Sequence, residues 1–144
     1  MMKTFNGLET TLERVGRILS RKYDITVRCK ADECKTDGRT IWLPALPEDV
    51  SESLWTLIRG ELDHETAHIL FSDFEGRMKG FKQQWGEFGF DLLNVIEDVR
   101  VNYAMQTEYP GSRENILASI AEITQTHPID QMPLPVRFLC GLFL

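Results

Sequence analysis

The run His64-Glu65-Thr66-Ala67-His68 constrains this chain more than any other part of it. On a helix of about 3.6 residues per turn, two imidazoles four positions apart share a face and can reach a single Zn²⁺ ion. Glu65 lies beside them, placed to hold a metal-bound water and take its proton, the general-base role in metal-assisted hydrolysis. The flanks decide whether this HExxH spacing is coincidence. Leu54, Trp55, Leu57, Ile58 and Leu62 precede it at helical spacing, and Ile69, Leu70 and Phe71 follow it. A helix apolar around so much of its circumference is mostly buried. Burying unpaired polar groups costs roughly several kcal/mol, and a shared metal ion satisfies two imidazoles at once. The chain has only three histidines, and two of them are committed here.

The approach to this helix is legible as well. Pro44 and Pro47 interrupt the chain, Ser51 or Ser53 can cap the first turn, and Glu48, Asp49 and Glu52 suit the positive end of the helix dipole. Before the prolines, Ile25 to Cys29 and Arg39 to Leu43 read as two short strands, with Thr36-Asp37-Gly38 as turn chemistry between them. A β-hairpin packed on the histidine helix is therefore expected. Arg39 to Leu43 would be either an edge that adds an extended peptide to the sheet or a plain cover for the core.

A hydrolytic zinc site takes three protein ligands and leaves a fourth position to water. The segment from Asp91 to Asn102 offers the third. Phe88, Leu92, Val95, Val99 and Tyr103 fall on one apolar stripe of a helix, and Asp91, Asn94, Asp98 and Asn102 line its edge. Short polar side chains are poor helix formers, so four in a row on one line point to a site. Asp98 is the preferred third ligand, with Asn94 and Asn102 as hydrogen-bonding partners of the ligands. Glu97, among Phe90, Leu93, Val101 and Ala104, is the alternative, with Arg100 one turn on as a cation that could pair with it instead. Tyr103, Tyr109 and His127 are candidate oxyanion or substrate donors.

Gly60 to His68 together with Leu93 to Val101 resembles the zincin-like metallopeptidase domains found N-terminal to von Willebrand A-type domains in bacterial and phage proteins, some of them similar to the cobalt-chelatase T subunit. The resemblance covers roughly Arg39 to Tyr103. It implies a minimal zincin-like fold, a zinc cofactor and hydrolysis of peptide bonds in a peptide or protein substrate. Related metallopeptidase-like domains carry an Asn-x-x-Ala-Asp-x-x-x-Asn helix, onto which Asn94, Asp98 and Asn102 fall, whereas Glu97 falls on the alanine. The better-known gluzincins place a glutamate four residues before an aspartate, and here that place holds Asn94. The similarity to chelatase-associated proteins also implies an alternative function, a metal-stabilised interaction module without turnover.

The rest of the chain predicts an α+β fold, mainly α, as one domain over residues 1–144. Leu8, Leu12, Val15, Ile18 and Leu19 put an apolar stripe on a helix from about Thr4 to Tyr23. Ser112 can cap another that carries Ile116, Leu117, Ile120 and Ile123 and ends before Pro128, while 76–80 and 109–111 read as loops. Trp42, Trp55 and Trp85 read as core residues. The net charge of −6, without any cluster of basic and aromatic residues, argues against a nucleic-acid partner. No run approaches about 18 apolar residues, so no membrane span is expected. The N-terminus lacks the pattern of a signal peptide and Cys29, Cys34 and Cys140 make an odd count, so a cytoplasmic location with reduced thiols is expected. The apolar run over 135–144 reads as an interrupted segment, either leading into a further domain or docking on a protein partner.

Overall fold

A computed structural model of the chain describes residues 5–126 and 129–131. His127 and the apolar run over 135–144 lie outside the described residues. The described part is a mainly helical α+β fold: helix α1 (Phe5–Ser20), strands β1 (Thr26–Ala31), β2 (Lys35–Thr36) and β3 (Thr40–Pro44), then helices α2 (Glu52–Phe71), α3 (Lys79–Glu108) and α4 (Pro110–Thr126). A single π-helical turn, Phe74–Met78, joins α2 to α3, and a 3₁₀ turn follows at Ile129–Gln131. Among the described residues, no helix is long and apolar enough to cross a membrane.

The sheet corrects the expected hairpin. Its strand order is β1-β3-β2, with β1 parallel to β3 and β2 antiparallel to it. Thr26 stands opposite Thr40 and Cys29 opposite Leu43, so the two long strands pair side by side in one direction. The turn at Thr36 to Gly38 does make a hairpin, but between β2 and β3. Asp37 Oδ1 accepts from the backbone N–H groups of Arg39 (2.9 Å) and Thr40 (2.7 Å), which closes it. β3 is therefore the central strand, and an edge role for Arg39 to Leu43 is ruled out. The edges are β1 and β2. Along β1, Glu13 of α1 accepts from the Val27 N–H at 3.2 Å, so a side chain occupies part of that edge.

Alternation within the strands sends Val27, Cys29, Ile41 and Leu43 to one face, each with no exposed surface. They pack with Leu12, Leu46, Ile58, Leu62 and Ile69, so this core lies between the sheet, α1 and one side of α2. A second cluster, Ala67, Val101, Met105, Ile116 and Ile120, joins the other side of α2 to α3 and α4. α2 is thus buried on two sides, as its composition requires.

Local chemistry sets the ends of these helices. Ser51, in an extended conformation, caps α2 by accepting from the Leu54 N–H at 3.2 Å. α4 starts at Pro110 with only Tyr109 separating it from α3, so the expected loop at 109–111 is replaced by a proline-led first turn. Gly60 lets α4 approach closely: a Cβ there would fall 2.2 Å from Ser119 Oγ and 2.5 Å from the Asn115 carbonyl oxygen. The expected loop at 76–80 is helical, and α3 is instead broken at Gly86, whose φ of 68° only glycine adopts freely.

Two predicted stripes are corrected. On α1, Leu12 is buried and Leu8 and Leu19 are half-buried, while Val15 and Ile18 face solvent; the helix ends at Ser20, before Arg21 in the left-handed region. On α3, Phe88, Leu92 and Tyr103 are exposed, and the buried positions are Val95, Glu97, Val101, Asn102 and Met105. Trp85 is also exposed, stacked on Phe81, whereas Trp55 packs against the core beside the sheet.

Candidate metal centre

α2 and α3 cross so that His64 and His68 meet the polar face of α3. His64 Nδ1 lies 2.8 Å from Asn102 Oδ1, and His68 Nε2 lies 3.0 Å from Asp98 Oδ1. His64 Nε2 is 3.8 Å from the same carboxylate oxygen. The two imidazole rings stand edge to face with centroids 4.8 Å apart. Among the described residues, His64, His68 and Asp98 form the group that could hold a metal ion, with ligand atoms all within 4.8 Å of one another.

The hydrogen bonds define which atoms face the gap. The amide oxygen of Asn102 only accepts, so His64 carries its proton on Nδ1 and turns a bare Nε2 toward Asp98. Ser72 Oγ donates to Glu97 Oε1 at 2.8 Å and therefore accepts from His68 Nδ1 at 2.9 Å. His68 Nε2 then also points at Asp98. Two nitrogen lone pairs that lie 3.8 and 3.0 Å from one carboxylate oxygen, with all three atoms within 4.8 Å of one another, repel unless a proton or a metal cation lies among them. A tetrahedral ion with bonds of about 2.0–2.2 Å spaces its ligand atoms by about 3.3–3.6 Å, between the two nitrogen-to-oxygen distances. The residues present fit a divalent metal of the kind that imidazole and carboxylate favour.

Glu65 is nearly buried. Burial pushes its carboxyl up to about 7, with Glu61 and Asp98 adding to the rise and His64 opposing it. Burial disfavours charge on His64, but the carboxylates of Glu65, Asp98 and Glu61 outweigh this and raise its pKa. Glu65, the two histidines, Asn94 and Asp98 line a cleft of about 720 Å³. One wall is Glu33 to Thr36, leading into and forming β2, and the other is Phe74, Met78, Lys79, Lys82 and Phe90. Cys34 lies in the first wall, where burial and the nearby carboxylates of Glu61 and Glu65 push its thiol far up.

The remaining expected site residues separate clearly. Glu97 is turned away from the ligand group: Arg100 Nε donates to its Oε2 at 2.8 Å, and Arg100 Nη2 to its Oε1 at 2.5 Å. The Arg100 guanidinium lowers the pKa of Glu97, against the opposing effect of burial and with help from the Ser72 hydroxyl. Tyr103 is exposed to solvent, away from the cleft lining. Tyr109 donates its hydroxyl to the Leu19 carbonyl at 3.0 Å, with the Arg21 guanidinium over its ring, and serves the packing of α1 on α3 and α4. Ser72 was not anticipated. It sits four positions after His68, on the same helical face, and that spacing alone could have revealed it.

No curated protein and no solved structure matches the chain. The family model of the cobalamin biosynthesis protein CobT matches residues 5–135, which takes in helices α1 to α4, the sheet and the candidate metal group. The chain therefore belongs to the CobT family, with a His-His-Asp group that could hold a metal ion at the crossing of α2 and α3.

Proposed function

We propose that this domain is a zinc-dependent hydrolase of the metallopeptidase type. His64, His68 and Asp98 hold the metal, and Glu65 acts as general base. The observation that carries this reading is the convergence of three acceptor atoms beside a buried carboxylate in an open cleft. When bound, zinc supplies a Lewis acid and a water whose pKa is lowered to about 7. Glu65 takes the proton, and the cleft walls position the substrate. Because β2 is an edge strand and borders the cleft, an extended peptide is expected to lie along Lys35 and Thr36 rather than along β3.

The family description favours a second reading. It names cobalamin biosynthesis rather than proteolysis, and the same metal group could serve as a structural clasp in an interaction module. Glu65→Gln separates the two. As a peptidase domain, the variant keeps its zinc and loses about 10²-fold or more in the rate of cleaving an unfolded protein substrate. Equal turnover by the variant would remove Glu65 from its role. A zinc-loaded wild type that cleaves nothing would leave the interaction module.

A further inference from the structure

Among the described residues, Asn102 is the hydrogen-bond partner of His64 Nδ1, whereas a chain of charged and polar groups stands behind His68. Arg100 donates to both carboxylate oxygens of Glu97, and its Nη2 also reaches the Phe71 carbonyl at 2.6 Å, at the C-terminal end of α2. Glu97 accepts from Ser72, and Ser72 faces His68 Nδ1. Ser72 is itself the C-cap of α2, its N–H donating to the His68 carbonyl. The chain therefore ties the end of α2 to α3 within one turn of Asp98.

We propose that Arg100, Glu97 and Ser72 are a positioning relay that keeps His68 protonated at Nδ1 and its Nε2 free to bind the metal. The inference rests on the reading of His64, His68 and Asp98 as ligands. The direction of the relay follows from what each group can do. Guanidinium only donates and carboxylate only accepts, so Glu97 draws the Ser72 hydroxyl proton to itself. The Ser72 oxygen is then left to accept, and the only hydrogen His68 can offer it is on Nδ1. An amide at position 97 breaks this logic, because its NH₂ can donate to Ser72 and let the hydroxyl donate to His68 instead. A proton is then favoured on Nε2, where the metal must bind. Glu97 thus acts on the site without touching it, and its burial keeps the relay out of competition with water.

Zinc affinity of the full chain, measured by competition with a chromophoric chelator, tests this in the wild type and in Glu97→Gln, Ser72→Ala and Ser72→Thr. Glu97→Gln and Ser72→Ala are expected to weaken binding by about 10- to 100-fold. Ser72→Thr, which keeps the hydroxyl, restores it. Ser72→Ala leaves the Glu97–Arg100 pair intact and so tests the relay without stranding a buried charge. In the zinc-loaded proteins, the Nδ1 proton of His68 should exchange faster with water in Ser72→Ala, while that of His64, held by Asn102, is unchanged. Loss of fold would disturb both protons alike. Wild-type affinity in Glu97→Gln and Ser72→Ala would overturn the relay and leave the ligand assignment standing. A wild type that binds no zinc would overturn both.

Discussion

One face of α3 carries Phe88, Leu92, Ile96 and Tyr103, all exposed, and the face turned toward α2 and the cleft carries Asn94, Asp98 and Asn102. A helix in a globular domain ordinarily does the reverse. The inversion follows from what α2 presents at the crossing: two imidazoles that need hydrogen-bond partners, which apolar side chains cannot supply, and that with Asp98 could hold a metal ion. Among the described residues, the buried apolar side chains of this part of α3 are Val95, Val101 and Met105, with Leu93, Val99 and Ala104 half-buried. The site therefore replaces part of the hydrophobic contact that would otherwise hold the two helices together.

If that comparison holds, the few apolar anchors on the inward face matter most. Met105→Ala removes a fully buried side chain from the cluster with Ala67 and Ile116 and is expected to cost about 2–5 kcal/mol in urea unfolding. Next in size is the metal. Loading with zinc at a free concentration one hundred times its dissociation constant should raise the unfolding free energy by about 2.7 kcal/mol, read as an upward shift of the urea midpoint. On the outward face, Leu92→Gln and Ile96→Gln should change stability by no more than about 0.5 kcal/mol, since both side chains are half or more exposed and glutamine is a comparable helix former. A large loss from either would mean that the outward face is packed and the contrast between the two faces is false.

The histidine helix was legible from spacing alone, because His64 and His68 at i and i+4 within an apolar run admit little but a buried helix. Asp98, Asn102 and Asn94 were legible as a polar line on α3. Their direction was not: an apolar stripe beside a polar line does not say which of the two turns inward, and partners on α2 decide that. Strand identity was also legible, since Val27, Cys29, Ile41 and Leu43 alternate as a buried face must. Strand pairing was not. Alternation says which side chains share a face and nothing about the direction of the neighbour, and two residues of β2 are too few to leave a pattern. Glu97 was read as a rival ligand because a carboxylate among apolar neighbours needs a cation; Arg100, already in view three residues on, is that cation.

The central claim is that His64, His68 and Asp98 bind one metal ion. Calorimetric titration of zinc into chelator-stripped protein, wild type beside Asp98→Ala, tests it most directly. The account predicts one tight equivalent in the wild type and at least a 100-fold weaker association in Asp98→Ala, with α2 and α3 still folded by circular dichroism, the factor being on the order of the upper end for losing even a supporting group. Equal binding by the two proteins, or no binding by the wild type, would contradict it.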